Sequence, residues 1–219
     1  NITSNTGNIT LTGRGEMIIF GAVEATNGTV TATADSDDDS AVESLRVEAD
    51  VSGTTVTFQT GGASSRVFVD GNTTNTIGET VFQTAARVDL RGNVTTEGGA
   101  ITFNPSANAV NLLADTTLDT TNGGAAAAGA DIDFTTTAIE DNFSNNALVL
   151  DAGSNGIISI GNVGQNEPVG SITFNEAAEL RLSGDIDVLD DIAFGNTNVV
   201  TLTADASVDT SAGNGDINF

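Results

Sequence analysis

Acidic side chains are the first candidates for chemistry in this sequence. The segment DSDDDS places Asp35, Asp37 and Asp39 at alternate positions, a spacing with which a loop can wrap oxygen ligands around calcium. An EF-hand loop would continue with Gly at its sixth position and Glu at its twelfth, where this chain has Ser40 and Arg46. An ordered calcium ion on these three aspartates is therefore one hypothesis, and a solvated acidic loop is the other. Diffuse calcium screening of the whole acidic surface is favoured over one tight site.

A second acidic group could serve a polysaccharide hydrolase or lyase. Asp185, Asp187, Asp190 and Asp191 lie close together, and residues two apart share one face of a strand. With 30 Asp and Glu in 219 residues, however, such pairs arise from composition alone. The chain has no His, Cys, Lys or Tyr, which removes most acid–base and nucleophilic machinery. We therefore expect a protein that is not an enzyme and has no cofactor other than calcium, with a polysaccharide-active enzyme as a minor alternative.

The charge balance excludes two kinds of partner. Six basic residues against 30 acidic ones give a net charge of −24, which repels phosphate backbones and anionic membranes. We expect no nucleic-acid binding. No segment approaches the roughly 20 apolar residues that span a bilayer, so we also expect no membrane insertion. The absence of Cys excludes disulfides and thiolate metal sites.

The elements that must carry these side chains are strands. Runs such as NITLT, TVTATA, RVFVD and VVTLTA recur at short intervals along the chain, and every second residue in them is apolar. Gly-Asn, Asn-Gly and Gly-Gly steps between the runs provide turns. Such short connections leave no room for crossover helices. The pattern predicts an all-β fold.

A long internal repeat organises these strands. Residues 76–94, TIGETVFQTAARVDLRGNV, align without a gap on residues 168–186, PVGSITFNEAAELRLSGDI, at an offset of 92. The alignment continues to the end of the chain when insertions are allowed in Gly- and Ala-rich segments. We therefore divide the chain into divergent coils over 1–75, a first long repeat over 76–167 and a second, incomplete repeat over 168–219.

Phenylalanine spacing selects one all-β architecture. Seven phenylalanines end or nearly end a strand, and several of them are separated by roughly 20–24 residues, a period that suits one coil of a solenoid. The sequence predicts a parallel β-helix, or β-solenoid, with coils of about 20–26 residues and one internal stack of aromatic rings. Each buried Phe would contribute roughly 1.5–3 kcal/mol, with about 0.5–1.5 kcal/mol more for each stacked pair. The stack would consist of Phe58, Phe82, Phe103, Phe134, Phe174, Phe194 and Phe219.

The repeat also resembles a known class of proteins. The line VDLRGNVTTEGGAITF, continued by VNLLADTTLDTTNGG, DIDFTT, ALVLDAGSNGIISIGNVG and VGSITFNEAAELRLSGDI, is similar to repeats of filamentous-haemagglutinin-like giant bacterial surface adhesins. The resemblance covers 76–219 clearly and 1–75 more weakly. It implies an exported, cell-surface, right-handed parallel β-helix that forms long fibres, and it carries no catalytic residues across.

These observations lead to one functional expectation with one main alternative. We expect a non-catalytic structural and adhesive segment of a large secreted fibre or adhesin at the bacterial cell surface. Its expected partners are further repeats of the same chain, other copies of itself, and cell-surface or extracellular polysaccharide. The alternative is a self-assembling extracellular filament or sheath subunit that calcium bridges. Since the chain starts at Asn1 without Met and ends at an uncapped ladder position, Phe219, we also expect a piece of a longer protein.

Overall fold

The protein is an all-β solenoid of parallel strands, as predicted. The computed structural model describes residues 1–35, 44–61, 64–75, 78–83, 86–104 and 109–219. Within these ranges there is no helix, and every strand pairs in parallel with the strand one coil before or after it. It follows that no helix of the described residues is long and apolar enough to cross a membrane.

Alternation of apolar and polar residues forms the strands. In the segment TVTATA, Val30, Ala32 and Ala34 are buried and the threonines between them are half-buried. The apolar side chains point into the coil and the threonines point outward, as a strand with one buried face requires. The strands, in chain order, are β1 (Ile2–Ser4), β2 (Ile9–Thr12), β3 (Met17–Ile19), β4 (Val23–Ala25), β5 (Thr29–Ala34), β6 (Ser44–Val47), β7 (Val51–Gly53), β8 (Thr55–Thr60), β9 (Arg66–Val69), β10 (Thr73–Asn75), β11 (Thr80–Gln83), β12 (Arg87–Leu90), β13 (Val94–Thr96), β14 (Ile101–Phe103), β15 (Ala109–Leu112), β16 (Thr116–Asp119), β17 (Ile132–Phe134), β18 (Ala138–Asp141), β19 (Ala147–Ile160), β20 (Ser171–Leu182), β21 (Ile186–Asp187), β22 (Ile192–Thr197), β23 (Val200–Leu202), β24 (Val208–Asp209) and β25 (Ile217–Asn218).

Each coil has three sides, and the coils are numbered from the start of the chain. Coil one contains β1, β2 and β3, which lie on sides one, two and three, and each following coil repeats this order. Sides one and two form a 17-stranded sheet, because β19 and β20 run through the corner between them. Side three is a six-stranded sheet from β3 to β18, followed by bridges through Val163 to the pair β21 and β24. Coils seven, eight and nine begin with β19, β20 and β22, and β25 begins coil ten.

The length of a coil varies more than the sequence predicts. Measured between in-register positions, the shortest coil runs from Phe174 to Phe194 and the longest from Leu118 to Leu150. Most coils have the predicted length of about 20–26 residues. The longest one contains the alanine-rich insertion between β16 and β17, which enlarges a corner without disturbing the ladder. This is the usual distribution of insertions between packed strands and surface turns.

The prediction of one phenylalanine stack is wrong, because the rings form two stacks on different sides. On side two, Phe58, Phe82, Phe103 and Phe134 follow one another with ring centroids 4.5–5.4 Å apart. On side one, Phe174, Phe194 and Phe219 form a second stack with separations of 5.2 and 4.8 Å. The next position above Phe134 is Ile160, whereas Phe174 lies above Leu150.

The reason lies in the period of the long repeat. Phe82 and Phe174 are equivalent in the repeat, but Phe82 lies in β11 on side two and Phe174 lies in β20 on side one. The repeat offset therefore corresponds to eleven strand positions and not to the twelve of four whole coils. Equivalent residues are rotated by one side from one repeat to the next. The division of the chain into three segments remains a prediction.

Polar side chains at the corners join successive coils. The Asp50 Oδ1 atom accepts a hydrogen bond from the Asn72 backbone N at 3.3 Å, and Asn72 Oδ1 accepts one from Asn93 N at 3.1 Å. Asn93 Oδ1 continues the series by accepting from Thr117 N at 2.8 Å. Each bond of this kind contributes about 0.5–1.5 kcal/mol net, and it satisfies a backbone donor that has left the strand ladder. Part of the Asp and Asn content is thus structural.

Candidate functional site

One of the three calcium candidates, Asp35, lies among the described residues. Asp35 is fully buried at a positive φ of 51°, and the Ser65 hydroxyl donates to its Oδ2 at 2.7 Å. Its Oδ1 is also buried and has no hydrogen-bond partner in the described part of the chain. Asp37 and Asp39 lie outside the described residues. Among those that are described, no three acidic side chains group closely enough to hold a metal ion, so a calcium site remains a prediction.

Two of the four aspartates considered for a hydrolase have structural partners. Asp185 Oδ1 accepts from Ser207 N at 2.8 Å and from Ser207 Oγ at 2.7 Å, and these bonds lower the pKa of Asp185. Asp191 Oδ1 accepts from the backbone N of Asp216 at 2.8 Å. Both carboxylates therefore cap the next coil, which is the same role that Asp50 has near the other end of the solenoid.

The third aspartate of that group forms a like-charge pair. Asp187 in β21 lies in register with Asp209 in β24, one strand spacing away. Burial raises the pKa of Asp187, and the neighbouring charge of Asp209 raises it further. Asp209 keeps its own pKa low because it accepts hydrogen bonds from the Ser211 side chain and from Ser211 N, the latter at 2.7 Å. We call Asp187 and Asp209 the acidic pair.

The arginines are concentrated on the outer surface of side three. Val67 and Val88 point into the core, so the residues on either side of each point outward. This surface, which we call the arginine face, consists of the outward side chains of β6, β9, β12 and the residue that follows each strand. It contains four of the six arginines and only three of the 30 acidic residues. Its charged members are Arg46, Arg66, Arg87, Arg91, Glu48, Asp70 and Asp89.

A buried carboxylate lies at the centre of the arginine face. The Asp89 side chain is fully covered, with Arg87 Nε 2.7 Å from its Oδ1, and Arg87 Nη2 donates to its Oδ2 at 3.1 Å. Burial raises the pKa of Asp89, against the opposing effects of Arg87 and the nearby charge of Arg66. One hydrogen bond and one close ionic contact thus hold the Arg87 guanidinium beside the Asp89 carboxylate.

Further charged residues form a second network beside it. Arg46 contacts Glu48 at 2.6 Å and Asp70 at 3.0 Å, and Asp70 also accepts from Arg91 Nη1 at 3.0 Å. These arginine side chains are about half exposed, at 43% and 52%. Exposed pairs of this kind contribute about 0–1 kcal/mol each, so the network orients the side chains more than it stabilises the fold.

Arg66 is the arginine of this surface that makes no direct ion pair among the described residues, although its charge acts on the buried Asp89 carboxylate. It lies in register with Arg87, so two cations occupy adjacent positions on neighbouring strands, an arrangement that destabilises a sheet. Within the described ranges Arg66 forms no ion pair, although the chain has five acidic residues for every basic one. A half-buried cation in this setting is available to an anionic group from outside the chain.

The spacing of the arginines in the sequence is a signal for this surface. The runs RVFVD and RVDLRG begin with Arg66 and Arg87, and the interval between them is one coil of the solenoid. In a parallel solenoid, residues one coil apart become neighbours. Arginine at this period in a chain with so few basic residues therefore predicts a local cationic row.

The comparisons with known proteins add no relative. No protein-family model, curated protein or solved structure matches the chain.

Proposed function

We propose that this chain is a non-catalytic structural and adhesive segment of a fibre at the bacterial cell surface. The observation that carries the proposal is the continuous ladder on side one, where ten successive rungs pair in parallel from β1 to β25. At the usual strand spacing of about 4.8 Å, nine steps give a stack about 43 Å long. A rod of this kind acts as a spacer through its length and its resistance to bending.

The interior supports the mechanical role. The side chains that point inward are apolar along nearly the whole stack, and they include two runs of stacked rings. Because each coil contacts mainly its neighbours, stability is distributed along the axis in the manner of repeat proteins. The corner hydrogen bonds between Asp, Asn and the next coil add directional links parallel to that axis. The resemblance to adhesin repeats supports the adhesive part of the proposal, with extracellular polysaccharide as the partner class.

Small-angle scattering combined with light scattering tests the proposal. At dilutions where light scattering reports a single chain, we expect an elongated particle whose axis matches the stack of about 43 Å. The same dimensions should be found with calcium and with a chelator. A compact sphere would contradict the rod, and dimensions that lengthen only with calcium would contradict a passive spacer.

A filament-forming subunit is the second candidate, and exposed apolar side chains in the described coils favour it. At the first coil, Phe20 is exposed beside a cavity of about 480 Å³ lined by Leu11, Met17 and other apolar residues. At the last coils, Leu202 and Phe219 are exposed. Apolar side chains exposed in this way can pack against a second copy of the chain. Growth of long particles with protein concentration, measured by light scattering, would support this candidate over the spacer.

A further inference from the structure

Side three carries one pair of neighbouring arginines and one pair of neighbouring aspartates. Arg66 and Arg87 occupy coils three and four, and Asp187 and Asp209 occupy coils eight and nine. The members of each pair are in register on adjacent strands, so both pairs have the same spacing of about 4.8 Å along the solenoid axis. The two arginines share one buried carboxylate, Asp89, and the two aspartates form no ion pair among the described residues, so each pair can still attract a pair of opposite charge.

The two pairs also lie close together across the width of side three. An inward column runs through Val88, Val110, Ile139, Val163 and Ile186 to Val208. The two arginines immediately precede this column in the sequence, and the two aspartates immediately follow it. The two arginines and the two aspartates are thus two residues apart along the strand direction, about 6.6 Å, which is within the reach of an arginine side chain.

We propose that two copies of this chain pair side by side through side three, with their solenoid axes antiparallel. In that arrangement coil three of one copy faces coil nine of the other, and coil four faces coil eight. Arg66 then meets Asp209 of the second copy, and Arg87 meets its Asp187. A two-fold axis through coil six generates the same contacts again, so the interface is self-complementary.

An exposed aromatic residue lies at the corner after side three, in the coil through which the proposed two-fold axis passes. Phe143 is 81% exposed in the turn that follows β18 in coil six. Its φ of +57° is uncommon for a bulky residue, and the strained turn directs an apolar ring to the surface. Because the proposed two-fold axis passes through coil six, Phe143 lies beside its counterpart in the second copy. Aromatic residues at the centre of an interface commonly contribute most to its affinity.

The overall charge does not prevent such a pair. Two chains of net charge −24 repel each other at long range, but the Debye length is about 8 Å at physiological ionic strength. Contacts between the arginine face and the acidic pair act at shorter distances than this. Pairing is a property separate from the proposed spacer role, because a chain that does not pair would still have the shape of the single rod.

A charge swap between two variants tests the proposal. Arg66→Glu gives a chain whose coil-three residue repels Asp209 of a second copy, and Asp209→Arg gives a chain that repels Arg66. Each variant alone should dimerise about a hundredfold more weakly than wild type, because every dimer contains two such contacts. An equimolar mixture should recover dimers, since the introduced glutamate of one variant then faces the introduced arginine of the other and the second contact is native. Sedimentation equilibrium at near-physiological ionic strength measures the dimerisation of each variant and of their mixture.

Two controls separate pairing from effects on the fold. Arg181→Glu makes the same change in charge on side two, where the ion pair of Arg181 is with Glu179 at 2.8 Å, and it should leave dimerisation unchanged. Phe143→Ser should weaken dimers without altering the thermal transition. A wild-type protein that stays monomeric, or a mixture no more dimeric than its components, would overturn the pairing and leave Arg66 to another anionic occupant. Dimers that both charge variants form as well as wild type would overturn it equally.

Discussion

Replacing one ring in the longer aromatic stack should lower the free energy of unfolding by an amount that depends on the size of the new side chain. Phe103 is nearly fully buried between Phe82 and Phe134, with centroid separations of 4.7 and 4.5 Å and nearly parallel rings. Phe103→Ala should lower the free energy of unfolding by about 3–5 kcal/mol, because it removes apolar contacts and leaves a cavity between two coils. Phe103→Leu retains most of the volume and should lower the free energy of unfolding by about 1–3 kcal/mol, mainly through the loss of two stacking contacts.

A double-mutant cycle tests whether there are two stacks or one. Phe103 and Phe134 are in contact, so the combined Phe→Leu variants should show a coupling energy of about 0.5–1.5 kcal/mol. Phe134 and Phe174 lie on different sides of the solenoid, so their effects should add within about 0.5 kcal/mol. Guanidinium unfolding followed by far-ultraviolet circular dichroism measures each term. Coupling between Phe134 and Phe174 as large as that between Phe103 and Phe134 would refute the two-stack arrangement.

Three further substitutions test the corners and the buried charge. Hydrogen bonds from Ser207 lower the pKa of Asp185 in the folded state. The stability that Asp185 contributes is therefore present above its unfolded pKa, near 3.8, and is lost as the pH falls through its folded pKa. Asp185→Asn should flatten the acid side of the curve of melting temperature against pH. The pKa of Asp89 is raised, so its effect has the opposite sign, and wild type should gain stability relative to Asp89→Asn as the pH falls through the folded pKa of Asp89 towards 3.8, measured by thermal unfolding at a series of pH values. Gly129 has a φ of +58°, and an added Cβ would collide with the Ala152 carbonyl. Gly129→Ala should therefore lower the free energy of unfolding, measured by chemical denaturation, by about 1–3 kcal/mol. An unchanged denaturation midpoint would contradict the close approach of these two coils.

The architecture could be predicted because local and global signals agree. Segments such as Thr29–Ala34 alternate strictly, and the turns between strands are too short for helices, so a parallel solenoid is the arrangement that buries one face of every strand. The position of each strand around the coil could not be obtained in this way. The offset of the long repeat looks like a whole number of coils, but the rotation by one side depends on how many residues each corner absorbs. The long β19, with register shifts between Leu150 and Ile157, is where side one turns into side two without a break.

The candidate surface was harder to predict than the fold for a related reason. A chain with 30 acidic residues contains many acidic clusters, but several of these carboxylates cap the corners of the coils. Asp50 and Asp185, which are far apart in the sequence, make the same contact with the backbone of the next coil. The informative residues were the rare ones. Arginine appears only six times, and its meaning depends on which positions become neighbours after coiling.

The acidic excess and the arginine face are parts of one arrangement. A coil corner needs an oxygen acceptor for the first backbone N–H of the next coil, and Asp or Asn at that position supplies it. Each Asp chosen for this purpose adds a negative charge at the surface, where solvation keeps its cost low. Arg66 and Asp187 point outward from side three and cap no corner among the described residues, so they are available for contact with another molecule. Asp89 compensates the pair of Arg66 and Arg87 only in part, and the proposed dimer would bring this pair to the neighbouring carboxylates of Asp187 and Asp209.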